Sequence, residues 1–461
     1  MKTVRFIIIF TWFMLLAVSD TFAQLTFKPE EYAARREKLM DTLQTGSVVL
    51  AGASLPTAYY PFFQANDFLY LTGVEIPNAM LIIDCDTRSS HLFFTISERN
   101  ARNLGIPLSL VNNPDFTTGI KHIHSLADFP EILKKITADQ DTIFTMRKPE
   151  ELMRECSQEK AGIRQSNLSA APWQKRNSKV ESFIKYLKKN LPEKAVSDCS
   201  KDIRALRIIK SPAEIDLMRK AGRIAVQAHT QVIRTCRVGM NESELAALFR
   251  YYCKKEGAQD LAYESIICSG PNHPFLHYYK HDRTLRDGDI LVIDAGPDYH
   301  YYDIDITVTF PANGTFTPRQ KEIYNIALIM HEACMQVYRP GLTRARAMKE
   351  VRTIMKKEGV DLNHPIFKQR GMKYAFGHYV GMAVHDVGFM PEKLKPGMVI
   401  ANEPFAVFTE ENLGVRVEDT IVITEDGCEN LTPGLPRTIE EIEALMSKQG
   451  VVQVLEKKNL Y

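Results

Sequence analysis

Residues 289–296 read Asp-Ile-Leu-Val-Ile-Asp-Ala-Gly, and residues 301–308 read Tyr-Tyr-Asp-Ile-Asp-Ile-Thr-Val. Both runs are rich in Ile and Val, as buried strands are, yet each carries an aspartate inside it. Burying an ionised carboxylate costs on the order of several kcal/mol unless it is paired or holds a metal. The stretch from Asp294 to Asp305 is long enough for two strands and a turn, which would bring both carboxylates to one point. Taken singly, either aspartate fits the solvated face of an antiparallel strand. Asp303 shares a strand face with Asp305.

The same oddity recurs twice further on. Met398-Val399-Ile400-Ala401-Asn402-Glu403-Pro404 puts Glu403 at the end of an apolar strand. Gly414-Val415-Arg416-Val417-Glu418-Asp419-Thr420-Ile421 puts Glu418 inside another. Gly377-His378 and the downstream His385 add imidazoles. Four carboxylates and one or two histidines in apolar strand contexts have one common explanation, a shared metal site, because cations compensate the buried charge. An oxygen-rich set with one nitrogen suits hard or borderline dications such as Mn²⁺, Co²⁺ or Zn²⁺. Five such ligands can hold two ions about 3.5–4 Å apart and activate a water between them.

The surroundings divide the chain into two regimes. Up to about Ser200, a helical stretch (Tyr32 to Leu43) and strand-like runs (Ser47 to Leu50, Ala79 to Asp84, His91 to Ile96) predict an α/β unit. Arg147 to Val180 is polar and weakly periodic and reads as a helix with irregular joints. From Ser211 the pattern predicts an α+β domain with four helices. Ser211-Pro212-Ala213-Glu214 is a capping box with Pro at the first helical position. Asn241 with Glu244, Thr317 with Gln320, and Thr343 open the other three, and Gly239, Gly257, Gly341 and Gly359 mark their ends. Asp287-Gly288 and Pro396-Gly397 are turns ahead of strands Ile290 to Ala295 and Met398 to Ala401, and a last strand is expected from Val415 to Thr424. Nine of the twelve histidines lie after residue 210, including the clusters His273, His277, His281 and His378, His385, so imidazole chemistry is weighted to this half.

Composition excludes several classes. The 461 residues are 45% hydrophobic and 25% charged, which argues against disorder and allows two or three domains. Lys plus Arg is 58 and Asp plus Glu is 56, so no charge excess calls for nucleic acid or an anionic membrane as partner. The eight cysteines contain no CxxC and read as neither a zinc ribbon nor a dense disulfide framework, although a pair or two could bond in an oxidising compartment. Residues 1–23 read as a signal peptide: Lys2 and Arg5, then an uncharged run from Phe6 to Val18, then Thr21-Phe22-Ala23 before Gln24. At 1.5 Å per residue that run is too short to span a bilayer core of ~30 Å. The expectation is therefore export to the periplasm or extracellular space, with no stable membrane anchor after cleavage.

Asp294, Asp305 followed by Ile-Thr, His378, His385-Asp386, Glu403-Pro404 and Gly414 to Asp419 together resemble the pita-bread metallopeptidases. That group includes aminopeptidase P, prolidase and methionine aminopeptidase. The resemblance covers about residues 200 to 440 and extends to Pro396-Gly397-Met398-Val399 ahead of Glu403. Tyr60 to Gly73 resembles the N-terminal domain of aminopeptidase P and its prolidase relatives, which methionine aminopeptidases lack. The implied layout is a signal peptide (1–23), an α/β aminopeptidase P N-terminal domain (24–200), a pita-bread (creatinase/aminopeptidase-like) catalytic domain (201–440) and a C-terminal tail (441–461).

Carried over position by position, the resemblance implies that Asp294, Asp305, His378, Glu403 and Glu418 bind two divalent ions, Mn²⁺ first. Asp305 rather than Asp303 would bridge them together with Glu418; Asp294 would serve one ion, His378 and Glu403 the other. Glu403 is also implied as general base and acid, His277 and His385 as catalytic and substrate-handling histidines, and Arg416 as a substrate-binding arginine. The implied activity is an exported Xaa-Pro aminopeptidase acting on peptides with proline second, as a homo-oligomer (dimer or tetramer). The alternatives are an Xaa-Pro dipeptidase and, from another class, a non-catalytic peptide-binding module on the same fold. Two departures bear on substrate preference: Val407 stands where aminopeptidase P usually has tyrosine, and Tyr374 where some relatives carry an extra histidine.

Overall fold

The structure is a computed structural model that describes residues 25–55, 61–148, 158–170, 173, 177–372, 377–388 and 393–458. The proposed export segment, Tyr60, Cys156, Tyr374 and part of the 147–180 stretch lie outside the described residues.

The run Met80–Asp84 is buried at every position, which requires cover on both faces. Strand alternation divides it between two cores. Met80 and Ile82 pack with Val49, Phe93, Leu133 and Leu187, whereas Leu81 and Ile83 belong to the large core containing Leu39, Phe68 and Leu71. The sheet so covered has six strands: β1 (Ser47–Ala51), β2 (Met80–Asp84), β3 (Ser89–Phe93), β4 (His122–His124), β5 (Thr142–Thr145) and β6 (Ala195–Asp198), in the order β4-β3-β2-β1-β5-β6. β2 is antiparallel to β1 and β3, while β4, β5 and β6 join in parallel. The helix expected from Tyr32 spans Pro29–Leu43, and the strand expected to reach Ile96 ends at Phe93.

All four helices expected after residue 210 form, at Pro212–Thr235, Glu242–Lys255, Pro318–Val337 and Arg344–Lys357. The first three start with complete capping boxes, in which the side chains of Ser211, Asn241 and Thr317 and of Glu214, Glu244 and Gln320 satisfy backbone N–H groups reciprocally. The strands among them are β7 (Asp260–Leu261), β8 (Ile266–Ser269), β9 (Ile290–Asp294), β10 (Pro297–Tyr299), β11 (Tyr302–Asp303), β12 (Thr307–Pro311), β13 (Val399–Asn402), β14 (Phe405–Phe408), β15 (Leu413–Arg416), β16 (Asp419–Ile423) and β17 (Cys428–Asn430). They pair antiparallel in small sheets, β12-β9-β8, β11-β10-β7, β13-β16-β17 and β14-β15. At Gly296, between β9 and β10, an added Cβ would collide with the carbonyl of Ile304, so only glycine lets the two chains approach this closely.

One expectation needs correction. Val415 to Thr424 is not one strand. β15 pairs with β14 and β16 with β13, and the ladder breaks at Val417-Glu418. The partner chain breaks at the same level, at Glu403-Pro404, where proline has no N–H to continue a ladder. Two glutamates thus sit at one shared discontinuity.

The two halves meet through buried polar groups. Arg207 donates to Asp67 at 2.8 Å and to Asp386 at 2.6 Å, and Lys210 reaches Asp386 at 2.9 Å. The Asn66 amide donates to the Met382 carbonyl at 2.6 Å, and the Gln64 N–H to the Tyr301 hydroxyl at 3.0 Å. The Asn66 and Asp67 side chains of the Pro61 to Gly73 motif therefore face the other half of the molecule, whereas the Gln64 side-chain amide donates to the Val74 and Ile76 carbonyls of its own half. The seven described cysteines are free thiols, so no disulfide frames the described residues, and no described helix is long and apolar enough to cross a membrane.

Asp386 is held below the usual carboxylate range: burial alone would raise it, but Lys210 and Arg207 outweigh burial. Replacing it strands buried positive charge. Asp386→Ala is expected to lower unfolding stability by about 3–5 kcal/mol, read from urea denaturation; a loss within about 0.5 kcal/mol, as for an ordinary surface change, would show that this cluster does not hold the halves together.

Candidate metal centre

Asp294 ends β9 directly opposite Thr307 of β12, and Asp305 lies two residues before that threonine. The hairpin therefore delivers both aspartates to one place, as the eleven-residue spacing predicts. The hydroxyl of Tyr263, just after β7, contacts Asp294 at 2.5 Å and Asp305 at 2.6 Å. One hydroxyl has one proton to donate, so this group accommodates only part of the paired charge. Asp303 is also buried, in β11, but its register partner is Asp298 of β10.

Glu418 joins from the ladder break. Its backbone bridges Thr307, whose hydroxyl donates to its carboxylate at 2.6 Å. His378 enters from a segment stitched to β13, with Gly377 N–H donating to Ala401 and Ala401 N–H to His378. A side chain at 377 would run into the Glu403 carboxylate. The Nδ1 of His378 lies 3.0 Å from the Tyr379 carbonyl, which makes it the protonated nitrogen and turns Nε2 toward the carboxylates. Nε2 is 3.2 Å from Asp305 and 3.8 Å from Glu403. Asp305, His378 and Glu418 offer ligand atoms within 4.8 Å of one another.

The electrostatics fit a cation. Burial first, then neighbouring Asp305 and Glu403, push Asp294 up to about 7, with Arg416 opposing. Burial and the charges of Asp305, Glu403 and Asp294 put Glu418 well above the carboxylate range. Burial would lower His378, yet Asp305 and Glu403 outweigh it and raise the ring to about 9. In each case a positive charge is wanted where protons otherwise supply it. The donor set, four carboxylates and one imidazole, is that of a hard or borderline dication.

The other candidate residues fall into place differently. The His385 ring stacks on that of His378, centroids 3.8 Å apart. Arg416 is buried, ion-paired with Asp294 and set over the Phe405 ring. His277 is exposed, its ring lying against Tyr279. Val407 lies in β14 opposite Gly414, and Tyr374 is outside the described residues. Tyr263 was not anticipated. Nothing in its own neighbourhood marks it, because β7 reaches the aspartates only through its pairing with β10.

Comparison with known proteins is consistent with this geometry. A profile of metallopeptidase family M24 matches residues 216–425, and one of the aminopeptidase P N-terminal domain matches residues 32–144. The chain is 32% identical to the Xaa-Pro aminopeptidase of Escherichia coli strain K12 over 90% of its own length and 97% of that protein. It is 29% identical to Xaa-Pro aminopeptidase 3 of Homo sapiens, over 91% and 86% of the two chains, and 30% identical to the Xaa-Pro dipeptidase of Rattus norvegicus, over 90% and 93%. Similar solved structures include a variant of Escherichia coli aminopeptidase P in complex with substrate (TM-score 0.74, 29% identity, 91% of this chain and 98% of that one). The Pseudomonas aeruginosa aminopeptidase PepP is another (TM-score 0.75, 27% identity, 92% and 99%).

The titrating groups predict how metal and pH combine. Asp294 and Glu418 have folded values above their unfolded ones, so each destabilises the fold increasingly as pH rises above about 4. His378 contributes stability that is complete below 6.5 and lost as pH rises through about 9. All three act in the same direction. Chelator-treated protein should therefore lose thermal stability between about pH 5 and 9, and the rise in Tm on adding Mn²⁺ should be larger at the upper end. Calorimetry showing an equal or smaller rise at high pH would contradict this.

Proposed function

The chain belongs to metallopeptidase family M24, peptide-bond hydrolases, and from that premise we propose that it is an exported dinuclear Xaa-Pro aminopeptidase. Its catalytic half has the pita-bread fold expected from the sequence, a fold the non-catalytic binding module would share; what speaks against that module is the peptidase family and the presence of all five candidate ligands. The observation that carries the reading is the convergence of buried Asp294, Asp305 and Glu418 with partly buried His378 and Glu403 in one cluster. In this reading Asp294, Asp305, His378, Glu403 and Glu418 would together hold two divalent ions. Such ions, Mn²⁺ first and Co²⁺ or Zn²⁺ as alternatives, would when bound supply a polarised water as nucleophile.

The chain's own groups do the rest. Glu403, 3.8 Å from the His378 Nε2 and only partly buried, would take the proton that the attacking water loses and return it to the leaving proline nitrogen. His385, stacked on His378, and His277 on its exposed loop steady the developing oxyanion and the leaving group. The substrate's free amine would approach near Asp294, and Arg416, ion-paired with that aspartate, would bind substrate beside it. An amine bound there restricts cleavage to the first peptide bond. Proline calls for a dedicated enzyme because its ring removes the amide N–H and fixes φ. The proposed boundaries remain 1–23 for a cleaved signal, 24–200 and 201–440 for the two domains and 441–461 for the tail, with export to the periplasm or beyond, and the protein would act as a dimer or tetramer. A second reading, Xaa-Pro dipeptidase, has the support of the Rattus norvegicus relative.

Substrate comparison tests the proposal. On Mn²⁺-loaded protein, kcat/KM for Ala-Pro-Ala should exceed that for Ala-Ala-Ala by about 10- to 200-fold, as for comparable contacts in an apolar pocket, and should also exceed that for Ala-Pro. A preference for Ala-Pro would move the assignment to dipeptidase, and equal rates on all three would remove proline specificity. Glu403→Ala should abolish turnover and lower metal content, whereas His277→Ala should lose rate with metal retained. Mass spectrometry of exported protein should find the N-terminus at or within a few residues of Gln24; an intact Met1 on cytosolic protein would overturn export.

A further inference from the structure

Three histidines meet at the edge of the N-terminal sheet, remote in sequence from the catalytic cluster. His122 and His124 alternate along the edge strand β4, and His91 of β3 stands directly opposite His122. Residues i and i+2 of a strand share a face, so all three imidazoles project from the same side. The His91 ring stacks on His122 with centroids 4.5 Å apart, and its Nδ1 lies 3.1 Å from the Nε2 of His124. His122 is exposed and the other two are partly so, which leaves the cluster open to solvent ions.

A hydrogen-bond chain assigns the tautomer of His91. The Asp84 carboxylate accepts from the Thr87 hydroxyl at 2.5 Å, and also from the Gln140 amide at 2.8 Å and the Asp86 N–H at 3.1 Å. Thr87 has spent its one proton on Asp84, so the contact between Thr87 and Ser89 at 2.9 Å must be donated by Ser89. Ser89 has then spent its proton, so the contact at 3.0 Å between its hydroxyl and the Nε2 of His91 must be donated by the ring. Neutral His91 is therefore protonated on Nε2 and presents the Nδ1 lone pair to its neighbours. A histidine whose outer nitrogen is anchored through hydroxyls to a buried carboxylate, with the inner lone pair turned toward another imidazole, is the arrangement of a metal-ligating imidazole.

We propose that His91, His122 and His124 form a second, nitrogen-only binding site for a borderline dication of the zinc and copper class. Two imidazole nitrogens on a tetrahedral ion with bonds of about 2.0–2.1 Å lie about 3.3 Å apart, close to the 3.1 Å between His91 and His124. In the free site the His124 Nε2–H donates to the His91 Nδ1; on binding His124 shifts its proton to Nδ1, two metal bonds replace that hydrogen bond, and rotation of the exposed His122 side chain brings in the third. The donor type separates this site from the catalytic centre: imidazoles favour Zn²⁺ and Cu²⁺, whereas carboxylates also accept harder ions such as Mn²⁺.

The test uses full-length, Mn²⁺-loaded protein titrated with Zn²⁺ by calorimetry and with Cu²⁺ by electron paramagnetic resonance. The wild type should take up one equivalent beyond those bound at the catalytic centre, and its Cu²⁺ spectrum should show nitrogen coupling from at least two imidazoles. His91→Ala, His122→Ala and His124→Ala should each weaken that equivalent by at least about tenfold and leave peptidase activity unchanged, while His378→Ala should retain it. Because His122 is exposed, its variant keeps the test available if the partly buried positions fail to fold. Unchanged affinity in the His122 variant and in whichever of the other two fold, or loss of the extra equivalent in His378→Ala, would overturn the proposal.

Discussion

Four carboxylates cannot share one buried point without positive charge between them, and the catalytic half is arranged around that constraint. Desolvation and mutual repulsion drive Asp294 and Glu418 upward, and His378 rises because it is the nearest group able to carry a compensating proton. Arg416 supplies a fixed cation beside Asp294. Tyr263 and Thr307 supply hydroxyl donors to the same cluster. These partners are weaker than a dication in each case, so the fold holds the ligands together at a cost that metal relieves.

Backbone pairing determines which carboxylates pay that cost. Thr307 lies opposite Asp294 in one ladder and bridges Glu418 in another, so a single residue ties the aspartate hairpin to the glutamate strands. Glu403 and Glu418 are freed from regular pairing because both chains change partner at the same level. Proline after Glu403 ends one ladder without leaving an unsatisfied N–H. The discontinuity is therefore what turns both glutamate side chains to a common centre.

The N-terminal half contributes through a second buried electrostatic unit. Arg207 connects Asp67 of the N-terminal motif to Asp386, the residue next to His385. The imidazole that stacks on His378 is thus held on a segment anchored to the other half of the molecule. Buried ion pairs contribute less to stability than to geometry once desolvation is counted, which suits a connection whose role is to keep two halves in register. At its far edge the same sheet carries the histidine cluster, where the chemistry is nitrogen-based and open to solvent.

Much of the site was legible before any coordinates. Charged residues inside Ile- and Val-rich runs are anomalies that local physics marks, and capping boxes at Ser211, Asn241 and Thr317 announce helices through contacts three residues apart. The two-strand spacing from Asp294 to Asp305 is local in the same sense. What depends on distant pairing was not legible. The split of Val415 to Thr424 follows from the strands that β15 and β16 choose. Tyr263 reaches the aspartates only because β7 pairs with β10, and Arg207 meets Asp386 across 179 residues. The sequence by itself determined which side chains carry unusual chemistry, because burial patterns and caps are written over a few neighbouring residues. Only the tertiary structure decided which of them meet, because strand pairing and buried ion pairs join segments whose separation along the chain holds no trace of their contact.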